Sequence, residues 1–178
     1  HVPRMPPLNY LERYIEDTFP EPATLYDELE GRTESARRVN FFLDNLRPRK
    51  RYGTYDPNRD IYLKRMTEEE RRAYHEILDP QNEEYWRMRA NGLLSDSTAM
   101  RAYVYQRFIK DYVRIVDAMD DQVGRLLDRI DADPDLRANT VVVYASDQGY
   151  FTGEHGYAEK RLMYEEAMRM PLLMRWPL

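Results

Sequence analysis

Cysteine is absent from the 178 residues. Disulfides, thiolate chemistry and zinc–thiolate centres are therefore excluded for this chain. Exported proteins need not carry disulfides, so the compartment stays open, with a periplasmic or secreted one suspected. No apolar stretch approaches the ~18 residues of a membrane-spanning helix. There is no surplus of basic charge either. The 27 Lys and Arg are outnumbered by 32 Asp and Glu, for a formal net charge of -5. That balance gives no sign of a nucleic-acid partner. An initiator Met and a signal peptide are also lacking, and His1 opens straight into Pro-rich text. We expect a chain cut from something longer.

What is present suits one domain, or a large part of one. Chains of this size hide roughly two-thirds of their extended surface. Aromatic residues reach 12%, with 15 Tyr, and charged residues 33%, which does not read as a disordered or fibrous chain. The run Arg47-Pro48-Arg49-Lys50-Arg51 is the only basic counter-signal. It reads first as a solvated loop. A sulfated polysaccharide could also use it, because Arg forks match sulfate oxygens as they match phosphate.

Five prolines between Pro3 and Pro22 predict an extended, irregular start. Val39, Phe42, Leu43 and Leu46 recur at helical spacing and predict a short helix over 34–46. Residues 53–63 look like loop. Thr67 and Glu70 form a capping box that opens a helix, expected to stop before Pro80, with a short helix over 82–90. The longest regular element is expected from Thr98 to Ile130, on a stripe that includes Phe108, Tyr112, Val116, Met119, Val123 and Leu127. It could be two helices broken near Gln106, and Gly124 inside it suggests a close crossing. Asp131 to Asn139 is polar and closes it. Thr140 to Ala145 is a β-branched apolar run and predicts a buried parallel strand with both faces covered. Leu172 to Met174 is a second short strand candidate.

The first strand runs into Ser146-Asp147-Gln148-Gly149. Open α/β sheets place ligands at the carboxyl ends of strands. A carboxylate beside an amide carbonyl supplies two hard oxygens, which suit calcium or magnesium. Ordinary turn chemistry accounts for Asp-Gln-Gly as well. Gly153-Glu154-His155-Gly156 follows, then Lys160. Lys160 offers a compact charge for an oxyanion, or a surface pair with Glu159 or Glu165. His155 could carry a proton near neutral pH, or be a loop residue whose ring bonds to backbone.

From Asn139 to Pro177 the text NTVVVYASDQGYFTGEHGYAEKRLMYEEAMRMPLLMRWP closely resembles the end of the catalytic domain in the sulfatase family. The ordered set is a hydrophobic strand, Ser-Asp-Gln-Gly, Gly-Glu-His-Gly, Lys160, Tyr164-Glu165-Glu166 and Pro171-Leu172-Leu173. Upstream, the stretches Tyr105 to Tyr112, Asp120 to Arg125 and Pro20 to Asp27 resemble family text too, so the likeness covers almost the whole chain.

That resemblance implies an α/β fold, an alkaline-phosphatase-like sandwich with a mostly parallel sheet flanked by helices. Residues 1–178 would be a single partial catalytic domain, truncated at the N-terminus and also at the C-terminus. It implies that Asp147 and Gln148 ligate a catalytic Ca2+. Lys160 would hold the substrate's sulfate, and His1 would sit near the leaving-group oxygen. His155 receives no acid role. Sulfatases of this type oxidise a Cys or Ser in a Cys/Ser-x-Pro-x-Arg motif to formylglycine, and complete the calcium site with paired aspartates. Neither feature occurs here. We expect both in an upstream segment, and the remainder of the catalytic domain as partner. The implied substrate is a sulfated carbohydrate, glycosaminoglycans included, or another sulfate ester. Two rivals stay open: a phosphonate or phosphate monoester hydrolase of the same superfold, and a non-catalytic binding protein with a degenerate sulfatase fold.

Overall fold

The computed structural model describes residues 5–46 and 65–177. His1, the basic run 47–51 and the expected loop 53–63 lie outside the described residues. In chain order the helices are α1 (Glu34–Arg37), α2 (Glu68–Ala90), α3 (Ser97–Asp131), α4 (Pro134–Asn139) and α5 (Glu165–Met168). The strands are β1 (Val142–Ala145) and β2 (Leu172–Arg175).

α2 begins at the expected capping box. The Thr67 side chain accepts from the Glu70 amide and the Glu70 carboxylate accepts from the Thr67 amide. It does not stop at Pro80 but runs 23 residues through it, correcting the expected break. An interior Pro costs a helix about 3 kcal/mol. Here Tyr74, Leu78, Asn82 and Tyr85 are buried on both sides of it, so one packed face carries the helix across. The Gln81 side chain reaches back to the Ile77 carbonyl at 3.0 Å, and Arg107 of α3 donates to the Gln81 carbonyl at 2.8 Å. Side-chain donors thereby brace the backbone on both sides of Pro80.

α3 is one unbroken helix of 35 residues, about 50 Å long at 1.5 Å per residue. Asp96 caps its start by accepting from the Ala99 amide at 2.9 Å. The interruption near Gln106 does not occur. Gln106 is used sideways instead: it accepts from the Phe19 amide at 3.0 Å and donates to the Phe19 carbonyl at 2.8 Å. Tyr105 donates to the Pro20 carbonyl at 2.6 Å. α3 side chains thereby satisfy the backbone of Phe19 and Pro20 and hold that proline-rich segment along this helix. Gly124 marks no close crossing, since a Cβ there would meet nothing within 4 Å.

The helix expected over 34–46 is not continuous. Thr33 caps the single turn α1, and Leu43–Asn45 forms a separate 3-10 turn. Between them Phe42 bridges to Tyr157, and the Phe41 carbonyl accepts from the Ala158 amide at 2.9 Å. A lone helix of that length is marginal, and pairing with the distant loop wins. The polar closing segment holds a helix of its own, α4. Pro134 sits at its first turn and Asp133 accepts from the Asp135 and Leu136 amides.

The described residues are rich in helix and hold one small sheet, a fraction of the mostly parallel sandwich expected of the whole domain. Among the described residues β1 pairs only with β2, antiparallel, with Val142 opposite Arg175 and Ala145 opposite Leu172. Residues 146–171 hold no helix long enough for a parallel crossover, so the chain simply doubles back. Nor are both faces covered: Val143 is 52% exposed and Leu172 65%. The C-terminal half of α3 shares this openness. Val116, Met119, Val123 and Leu127 line an apolar groove of about 390 Å³ together with Tyr144 and Leu173. The main core lies at the other end of α3, where Val104, Tyr105, Phe108 and Ile109 pack with Leu25, Leu43 and Tyr85.

Candidate active site

The site is built at the carboxyl end of β1. Ser146 donates to the Gln148 carbonyl at 2.8 Å and tightens the turn. Gly149 is buried there, and its amide donates to the Ala167 carbonyl of α5 at 3.0 Å. A Cβ on Gly149 would stand 2.1 Å from the Glu166 carbonyl oxygen and 2.5 Å from that of Arg169. Space, not a positive φ, dictates glycine at this position. Both obstacles are backbone and cannot rotate away. Gly149→Ala is expected to destabilise by about 1–3 kcal/mol or more, as overpacking does. Urea unfolding of parent and variant checks this, and equal midpoints would refute the close approach.

From Gly149 the chain makes a closed excursion. The Phe151 amide donates to the Glu159 carbonyl at 2.8 Å, and the Gly153 amide to the Tyr157 carbonyl at 3.1 Å. Phe151, Tyr157, Phe41, Leu29 and Ala167 pack beneath it as a second core. The two arms of the loop are thus pinned together, and its return arm delivers Lys160 back to the β1 end. Lys160 Nζ donates to Asp147 Oδ1 at 2.9 Å and to Oδ2 at 3.0 Å. The pair is 13 positions apart in sequence. The partner the structure gives Lys160 is thus Asp147, where the sequence had offered Glu159 or Glu165. The Asp147 side chain is 77% exposed and that of Lys160 35%. The ammonium holds the Asp147 carboxyl below its usual range, first through the hydrogen bond and then through charge.

Gln148 is exposed beside Asp147. The two offer carboxylate and amide oxygens, donor types that fit a hard cation, but calcium takes about 6–8 oxygens. Among the described residues no group of three or more His, Cys, Asp or Glu could hold a metal ion. Asp147 and Gln148 can therefore be only part of such a centre. His1 lies outside the described residues.

His155 is placed away from this pair, as a structural hub. Its ring bonds to a side chain and not to backbone: Nδ1 is 2.6 Å from Asp27 Oδ2. The contact draws the Asp27 carboxyl below its usual range, the hydrogen bond from His155 leading the causes. Nε2 lies 3.8 Å from Glu166 Oε1. The sequence placed Asp27 and Glu166 in family-like stretches but gave neither a role. Asp27 is 128 positions from His155, and no local spacing could have linked them.

A family model described as Sulfatase matches residues 9–178. The chain belongs to the sulfatase family. The N-acetylglucosamine-6-O-sulfatase of Bacteroides thetaiotaomicron is 35% identical over 188 residues, which cover 97% of this chain and 32% of that protein. The iduronate 2-sulfatase of Homo sapiens is 38% identical over 74 residues, 41% of this chain and 13% of its own length. Among solved structures, BT4656 in complex with its substrate D-glucosamine-2-N,6-O-disulfate superimposes with a TM-score of 0.83 at 35% identity, covering 99% of this chain and 37% of that one. This sulfatase chain thus spans about a third of the length of that Bacteroides relative. Among its described residues no helix is long and apolar enough to cross a membrane.

Proposed function

We propose that these residues form one side of the active site of a sulfuric ester hydrolase acting on sulfated amino sugars. The observation that carries the reading is the delivery of Lys160 onto Asp147 at the end of β1. A cation and a hard-oxygen ligand side by side are what a sulfate ester and a divalent metal need together. The amino-sugar part rests on likeness to the N-acetylglucosamine-6-O-sulfatase along 97% of the chain. It also rests on the glucosamine disulfate bound as substrate by the solved neighbour.

In this reading the 178 residues are one part of a catalytic domain with an alkaline-phosphatase-like sandwich, whose remainder covers the open faces of β1, β2 and the far end of α3. Asp147 and Gln148 hold Ca2+ with further oxygens from outside the described residues. When bound, calcium would polarise sulfuryl oxygens, and a formylglycine outside this chain would supply the nucleophile. Lys160 binds the sulfate and orients it. Its ammonium has three donors and meets both Asp147 oxygens, so release of one of those oxygens would free it for the metal and a donor for sulfate. His1 holds a proton at the leaving oxygen. Substrate selection falls to the Pro-rich start and to residues 47–96.

Asp147→Ala in the full-length protein is expected to weaken calcium binding at least about tenfold by calorimetry. Unchanged affinity would sink the assignment. Turnover of an aryl sulfate as a surrogate, compared with an aryl phosphate, separates a sulfatase from a phosphate monoester hydrolase. A faster phosphate reaction would favour the latter.

A further inference from the structure

His155 is held in the left-handed region, at φ 54° and ψ 22°, a conformation that L residues with a Cβ resist. Gly153 at φ 121° and Gly156 at φ 70° flank it and make the turn possible. Such strain persists only where surrounding contacts over-determine it. Those contacts join three parts of the chain. The His155 amide donates to Thr24 Oγ1 at 3.2 Å, and Nδ1 meets Asp27, both in the segment laid along α3. Nε2 faces Glu166 of α5, and the ring lies 4.9 Å from that of Tyr164, just before α5. The ring is only 10% exposed.

α5 is also what the metal-ligand turn rests on. Gly149, directly after Gln148, donates to Ala167 and is wedged under the Glu166 and Arg169 carbonyls. His155 further sits at the tip of the closed loop whose return arm carries Lys160. We propose that His155 is a positioning residue of the sulfatase site. By bridging Asp27 to Glu166 it locks α5 against the Gly149 turn, and so fixes Asp147 and Gln148 relative to Lys160. This rests on the assignment of those three residues to sulfate-ester hydrolysis. His155 itself touches no reacting atom.

The test uses His155→Asn and Tyr157→Phe in the full-length protein. Asn tolerates the left-handed backbone, but its short amide cannot span from Asp27 to Glu166. Tyr157→Phe removes a hydroxyl that donates to the Ala36 carbonyl at 2.8 Å in the same packed cluster and leaves the bridge intact. His155→Asn is expected to lower kcat at least about tenfold with KM within about threefold, the split that marks lost transition-state geometry. It should also speed hydrogen exchange of the Gly149 amide by about tenfold or more, in the absence of substrate. Tyr157→Phe, compared at a temperature where both are folded, should keep kcat within about threefold. A His155→Asn loss no larger than that of Tyr157→Phe, or a Gly149 amide protected as in the parent, would overturn the proposal. Faster Gly149 exchange together with a parental Lys160→Ala turnover would uphold the bridge and fault the site assignment.

Discussion

Lys160→Ala in the full-length sulfatase is expected to cut kcat/KM by about 100-fold or more, roughly 2.7 kcal/mol of transition-state stabilisation. Negative charge shifts among the sulfuryl and leaving oxygens as the ester bond breaks, so a fixed cation helps the transition state more than the ground state. Lys160 is poised for this. It is partly exposed at the β1 end and held by a carboxylate that is itself open to solvent. Lys160→Arg should recover part of the loss. Its planar fork is longer and carries its donors at other angles. Melting temperature should barely move in either variant, because the side chain contributes nothing to the packed clusters beneath the loop. Steady-state kinetics with a melting curve for each variant checks all three expectations. A Lys160→Ala enzyme within threefold of the parent would reduce the Lys160–Asp147 contact to a surface ion pair.

The 178 residues by themselves are expected to release no measurable sulfate from an aryl sulfate, with calcium present. They contain no Cys and no Ser-x-Pro-x-Arg, hence no residue that the formylglycine oxidation could use. Losing an activated nucleophile abolishes the covalent route rather than trimming it. The metal side is short as well, with Asp147 and Gln148 the two candidate ligands and no larger cluster among the described residues. Calcium-dependent multiple turnover by the purified chain would overturn the mechanism.

Chemistry was legible where it is written in consecutive residues. The capping box at Thr67, the existence of a strand feeding Asp147 and Gln148, and the long helix under the apolar stripe of α3 are local patterns, and each element formed where its pattern lies. The order of motifs from Asn139 to Pro177 was enough to point to the sulfatase family. Misreadings arose where a long-range contact outweighed a local preference. Pro80 should end a helix, yet a buried face on both sides carries α2 through it. Residues 34–46 have helical spacing, yet Phe42 pairs with Tyr157 instead. The apolar run of β1 reads as a strand buried on both faces, but its partner here is the returning β2, and a sequence pattern records hydrophobicity without saying which chain covers it.

The sequence by itself determined the residue types on offer at the proposed site: hard oxygens at Asp147 and Gln148, a cation at Lys160, and no thiol or oxidisable motif. Only the tertiary structure decided their arrangement. The pinned loop brings Lys160 onto Asp147, the Glu166 and Arg169 carbonyls exclude any side chain at Gly149, and Asp27 and Glu166 converge on His155. Side-chain chemistry is a property of each residue alone. Proximity between residues 13 or 128 positions apart is not, because it depends on how the whole chain closes on itself.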